Sequence, residues 1–204
     1  MLPAPEFQQL DQTLAIWQAY DPAVKAELFS TSIQLGDRLF LVDPIPLAAD
    51  AFADLTEHAR ISSVFLTNAN HARAAIWYAE ETGAGVLASA ETAGILYDLE
   101  MIAMAPGDRV GDRIEVVALE GAAEGEIALY LEGDGGSLVL GDALINFGRE
   151  GFVLLPAKYC SDQKSLRRSL RQLLDFSFER LLFAHGAPIV SSARARLETL
   201  LADS

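Results

Sequence analysis

Apolar and polar positions fall into short blocks, and the blocks change period along the chain. Residues 27–35 (Glu-Leu-Phe-Ser-Thr-Ser-Ile-Gln-Leu) and 38–42 (Arg-Leu-Phe-Leu-Val) are apolar-rich runs on either side of Gly36-Asp37. Such runs hinged on a Gly-Asp pair predict a β-hairpin. Asp43-Pro44 and Pro46 break the second strand. Residues 47–60 then place Leu47, Phe52, Leu55 and Ala59 on an approximate helical stripe. Residues 63–67 predict a buried strand, 70–81 a helix with Ala74, Ala75, Trp77 and Tyr78 inward, 85–88 a strand, and a short helix follows from about Glu91.

A second round begins near Met101. Residues 113–119, 126–131 and 137–140 predict strands, and Gly133-Asp134-Gly135-Gly136 joins the last two. That glycine run has no following Lys-Ser/Thr and leads into a strand, so it predicts a hairpin turn and not a phosphate cradle. Residues 152–155 predict a further strand. A helix starts at Ser161, its expected N-cap, with Leu166, Leu170, Leu173 and Leu174 on one side. Residues 180–184 predict the last strand and 192–201 the last helix. Two strand sets, each trailed by helices, predict sheets packed face to face with helices outside, and function at the strand ends.

The chain has 204 residues, 51% of them hydrophobic and 22% charged, which excludes disorder and suits one domain. The expected halves are 1–110 and 111–204. The single cysteine, Cys160, excludes an internal disulfide and a multi-cysteine zinc site. No apolar run spans a membrane, and the first residues carry no signal-peptide pattern, so a reducing cytoplasm is the expected compartment. The net charge of −14 argues against nucleic-acid or anionic-membrane partners. It is uneven, however: residues 1–150 carry −17 and residues 151–204 carry +3. Lys164, Arg167, Arg168 and Arg171 hold much of the positive surplus. They read as a solvated helix face, with self-association or an acidic partner as the alternative.

Four strand-end segments hold the candidate chemistry: Thr67-Asn-Ala-Asn-His-Ala-Arg73, Glu120-Gly-Ala-Ala-Glu-Gly125, Gly141-Asp142 and Ala184-His185-Gly186. Their order and spacing resemble the metallo-β-lactamase superfamily, over about residues 27 to 190, with Leu41-Val-Asp-Pro44 similar to the segment ahead of that family's metal motif. The resemblance implies an α/β (α+β) fold, a four-layer αββα sandwich. It also implies hydrolysis of a small ester, amide, thioester or phosphodiester by metal-bound hydroxide. The family's Thr-His-x-His-x-Asp-His motif corresponds to residues 67–73. Asn68 and Asn70 therefore stand for its first two histidines, Ala72 for its aspartate and Arg73 for its last histidine. Ala122 stands for the next histidine, while Asp142 and His185 retain the ligand type.

Neutral amides are poor zinc ligands, alanine offers none, and a guanidinium repels a metal. The expectation is therefore a degenerate site without a two-zinc centre. At most one weakly held divalent ion (zinc, manganese or iron) would bind, on Asp142 and His185 with help from Asn70 or His71. Asp142, His185 and His71 are the candidate acid/base groups, and Arg73, Asn68 and Asn70 the candidates for binding a small anionic ligand. Arg73 is expected to pair with Asp142 where a metal would sit. His71 reads either as a relocated ligand or base, or as a ring bonded to its own loop. A non-catalytic anion-binding or protein-interaction module is the alternative function. Glu120, Glu124 and Glu126 read as a solvated turn, His58 as a surface residue, and Cys160 as incidental or as a thiolate favoured by a nearby helix start and Lys158.

Overall fold

The computed structural model describes residues 2–147 and 151–202. The first half forms one sheet in chain order: β1 (Gln8–Gln9), β2 (Leu14–Asp21), β3 (Ala26–Leu35), β4 (Arg38–Val42), β5 (Arg60–Phe65), β6 (Gly85–Ser89) and β7 (Ile102–Met104). Strands β1 to β4 pair antiparallel and β4 to β7 parallel. The second sheet holds β8 (Arg109–Val110), β9 (Ile114–Ala118), β10 (Ile127–Leu131), β11 (Ser137–Leu140) and β14 (Arg180–Phe183), in the spatial order β14-β11-β10-β9-β8. A separate hairpin pairs β12 (Leu144–Phe147) with β13 (Gly151–Leu154). The helices are α1 (Ala49–Thr56), α2 (Ala75–Thr82), α3 (Ala90–Ile95), α4 (Gln163–Gln172) and α5 (Ala193–Ala202).

Each strand sends alternate side chains to opposite faces, so each sheet needs cover on both. Phe29, Ile33, Phe40, Val42 and Phe65 of the first sheet meet Ile114, Val116, Ile127, Leu129 and Leu182 of the second. On the outer face of the first sheet Trp17, Leu39, Leu41 and Val64 pack against Ala51 and Leu55 of α1 and Ala75 and Tyr78 of α2. On the outer face of the second, Leu138, Leu140, Leu181 and Phe183 pack against Leu166 and Leu170 of α4 and Leu197 and Leu201 of α5. Three apolar layers between four structural layers make the αββα sandwich.

The expected hairpins at Gly36-Asp37 and at 133–136 are both formed. Strand β2 carries no signal in the sequence reading. Its first half, Leu14 to Trp17, is buried on both faces, and a run without alternation does not declare its period. The single helix expected over 70–81 is two pieces, a 3-10 turn at Ala69–His71 and then α2, because Arg73 between them adopts φ +39°. The helix expected from Ser161 starts at Gln163. Asp162 is its N-cap, its carboxylate accepting from Lys164 N, so the carboxylate and not the preceding hydroxyl takes the first free amide. The strand expected over 152–155 joins β12 in the small hairpin, outside both large sheets. Among the described residues, no helix is long and apolar enough to cross a membrane.

Candidate functional site

The carboxyl ends of β4, β5, β11 and β14 meet at one edge of the sandwich, where the two sheets are tied backbone to backbone. Ile127 N donates to Thr67 O at 2.8 Å, and Phe29 N to Ala184 O at 3.0 Å. The residue just past each strand end therefore faces the same space. Those residues are Asp43, the 67–73 segment, Asp142 and His185.

Asp43 ends β4 with φ +49°, which turns its buried carboxylate back over β5. Oδ1 accepts Thr67 N at 2.8 Å, and Oδ2 accepts the Thr67 hydroxyl at 2.6 Å. His71 Nδ1 lies 2.9 Å from the same Oδ2. Burial alone would raise the Asp43 carboxyl. The charge and hydrogen bond of His71, the charge of Arg73 and the Thr67 hydroxyl outweigh it and hold Asp43 below the usual carboxylate range. An ionised Asp43 accepts, so Nδ1 of His71 carries the proton and Nε2 is turned inward.

Among the described residues, that buried Nε2 has no hydrogen-bond partner. It lies 3.3 Å from Asp142 Oδ1, out of line for a good hydrogen bond. His185 Nε2 approaches the same oxygen at 3.2 Å, and the two imidazole centroids are 5.4 Å apart. One ligand atom each from His71, Asp142 and His185 falls within 4.8 Å of the others. Burial pushes the His71 ring down, but Asp43 and Asp142 outweigh it and Arg73, carrying the ring up to about 9. Burial would raise Asp142, yet the close ring nitrogens and charge of His185 and His71 hold it far below the carboxylate range.

Asn68 N-caps the 3-10 turn, its Oδ1 accepting from Asn70 N at 2.9 Å. Its Nδ2 is thereby turned to the carboxylates, 3.1 Å from Asp142 Oδ2 and 3.5 Å from Glu126 Oε2. The Asn70 side chain is on the exposed side. Glu126, expected in solvent, is buried. Its Oε1 accepts Ala143 N at 2.8 Å and its Oε2 accepts Ala123 N at 3.3 Å. Burial, and then the charge of Asp142, push its carboxyl up to about 8.

Arg73 does not form the expected pair with Asp142. Nη1 donates to Phe29 O at 2.6 Å and Asp43 O at 2.9 Å, and Nη2 to Ala184 O at 3.3 Å. Three backbone carbonyls, one within β3 and two just past the ends of β4 and β14, reach the planar guanidinium first and take the donors meant for a carboxylate. Asp142, His185, His71 and Asn68 are thus brought together, Arg73 braces them from behind, and Asn70 stands outside. Sequence reasoning passed over Asp43 and Glu126 as site residues. A charged residue between an apolar strand and a proline was the available signal for Asp43. Glu126, among other turn glutamates, had none.

Elsewhere, His58 is exposed as expected. Burial comes first in raising the Cys160 thiol, and Glu126 adds to it, so a favoured thiolate is not found. Lys164, Arg168 and Arg171 are exposed, with Arg168 paired to Glu120 at 3.1 Å.

A family model described as the metallo-beta-lactamase superfamily matches residues 9–204. No curated protein matches the chain. Among solved structures, the DIM-1 metallo-beta-lactamase exposed to ceftazidime is similar with TM-score 0.77 and 13% identity, covering 99% of both chains. TMB-1 is similar with TM-score 0.77 and 14% identity, again covering 99% of both. A metallo-beta-lactamase family protein from Thermus thermophilus has TM-score 0.67 and 21% identity, covering 96% of this chain and 80% of that one.

Proposed function

The chain belongs to the metallo-beta-lactamase superfamily, and on that premise we propose that it is a hydrolase built around one divalent ion, on His71, Asp142 and His185. The observation that carries this reading is the orphaned Nε2 of His71. Its ring is oriented from behind by Asp43 and faces a carboxylate and a second imidazole. Two imidazoles and a carboxylate are a suitable donor set for zinc, iron or manganese. A carboxylate behind a ligating histidine fixes its tautomer.

The other half of a two-metal site does not fit. Asn68 presents amide hydrogens in place of a lone pair, Asn70 lies outside, and Ala122 has no donor. A second ion would have to displace the Asn68 amide from between Asp142 and Glu126.

His71, Asp142 and His185 would hold the ion, which would supply Lewis-acid activation of water near neutral pH. The chain's own residues do the rest. Asp43 and Thr67 hold His71 in one tautomer. Asn68 holds the second oxygen of Asp142, which leaves Oδ1 for the histidine side. A cavity of about 490 Å³, lined in part by Glu126, Ser89, Met104, Ile127 and Ser161 and by none of the three ligand residues, adjoins the site at Glu126.

The test is elemental analysis of protein purified without chelator or affinity metal. About one zinc, iron or manganese per chain is expected, absent from Asp142→Ala and His71→Ala. Hydrolysis of chromogenic esters, amides and phosphodiesters should follow the metal content. Metal-free wild-type protein that binds none of the three on addition would overturn the reading.

A further inference from the structure

Arg73 touches the supports of both histidines at once. Its Nη1 donates to Asp43 O, while the Asp43 carboxylate orients the His71 ring. Its Nη2 donates to Ala184 O. That carbonyl and the His185 N–H belong to one planar peptide, so its position sets where His185 leaves β14. The third acceptor, Phe29 O, lies on β3, and Phe29 N donates to the same Ala184 O at 3.0 Å. The guanidinium therefore sits on the seam between the sheets, bonded to β3, to the end of β4 and to the end of β14. Ser30 Oγ donates to Asp43 O as well, at 2.7 Å, so this carbonyl is held from two sides.

The contacts use a property that only arginine has. Its donors form a rigid planar fork that reaches several acceptors with a fixed angle between them, which an ammonium cannot do. The backbone is bent to deliver the fork, with φ +39° at a long side chain. A non-glycine residue persists there only where its surroundings over-determine it. Among the described residues, no carboxylate takes up the guanidinium directly. Its field instead reaches Asp43 and Asp142, the two acidic groups that face the histidines.

We propose that Arg73 is a positioning residue, a built-in organic cation whose three carbonyl bonds set the spacing between His71 and His185. Part of its test rests on the single-metal reading above, and part is independent of it. Losing the fork leaves both rings in place in the chain but lets their supports move apart.

The experiment compares wild type with Arg73→Lys and Arg73→Gly. Lysine keeps the charge without the fork. Glycine accepts the positive φ and leaves a space that ethylguanidinium can enter. Two readouts are taken: cobalt(II) affinity by visible absorption, and imidazole 15N signals in the metal-free proteins. The chain has three histidines, so exposed His58 serves as an internal control. Both variants should bind cobalt roughly 10–100-fold more weakly, the usual effect of losing an outer support of a ligand. Their His71 and His185 signals should shift while His58 stays, and millimolar ethylguanidinium should restore the glycine variant.

Folded variants with unchanged histidine signals and cobalt affinity within twofold of wild type would overturn the proposal. If the glycine variant does not fold, the lysine variant gives the same two readouts. If wild type binds no cobalt, the metal reading fails and the imidazole signals decide this one alone: shifted signals support it, unchanged signals refute it.

Discussion

His71, Glu126, Asp43 and Asp142 are titratable groups whose protons are set by what the fold packs around them. His71 goes from 6.5 up to about 9 and Glu126 from 4.5 up to about 8. Both bind protons more tightly folded than unfolded. The stability they contribute is full below their unfolded values and is lost as pH rises through the folded ones. Asp43 and Asp142 are lowered, so theirs is present above about 3.8 and lost in acid. The melting temperature of the metal-free protein should therefore peak in mildly acidic buffer and fall from about pH 5 to 9. Glu126→Gln should flatten that fall between about pH 4.5 and 6.5, make it shallower up to 8 and leave the part up to 9. A melting temperature that is level or rises over this range in wild type would refute the assignment. Asp43→Asn tests the support behind His71. Replacing a buried charge that accepts from a backbone amide, a hydroxyl and an imidazole should cost about 3 kcal/mol by urea titration.

At the scale of elements, each site residue depends on a short connection. The His185–Gly186 turn is clamped by β12: Asn146 N donates to His185 O at 3.0 Å, and Ala187 N to Asn146 O at 3.1 Å. Gly186 has φ +109°, and a Cβ there would meet Asn146 O at 2.1 Å. Gly36, in the β3–β4 turn, also has positive φ (+65°) but open space around it. Gly186→Ala should lose about 3 kcal/mol from strain and overlap together, and weaken metal binding by displacing His185. Gly36→Ala should lose about 1 kcal/mol, from strain alone, with metal binding intact. Equal losses in urea titrations would mean that the small hairpin does not hold the His185 turn.

For the whole molecule, the central apolar layer belongs to both sheets, so neither can lose it alone. Phe40, fully buried there, should cost about 3–5 kcal/mol when truncated to alanine. Both tryptophans, Trp17 and Trp77, lie in the first half of the chain. Their fluorescence should nevertheless follow the same unfolding curve as far-ultraviolet circular dichroism. Leu182→Ala, in the second sheet, should lower the midpoint of both signals together. A fluorescence midpoint unmoved by Leu182→Ala would show that the halves unfold separately.

Local pattern was enough for most of the architecture. Apolar runs broken by Gly-Asp and by glycine clusters state both turn and period, because hairpin geometry is decided within a few residues. The strand-end segments, read in order, carried the resemblance and the loss of family ligands at Asn68, Asn70, Ala72, Arg73 and Ala122. Only the tertiary structure decided which residues meet. Asp43 and His71 are separated by 28 positions, Asn68 and Asp142 by 74, and Arg73 and Ala184 by 111. The fate of Arg73 shows why. Its charge predicts a carboxylate partner, but its acceptors are backbone carbonyls, which every residue has and which no sequence position distinguishes. Glu126 shows the converse, since nothing local separates a glutamate in water from one folded under a neighbouring loop. Burial belongs to the packing of the two sheets, and it sets which groups hold their protons at neutral pH.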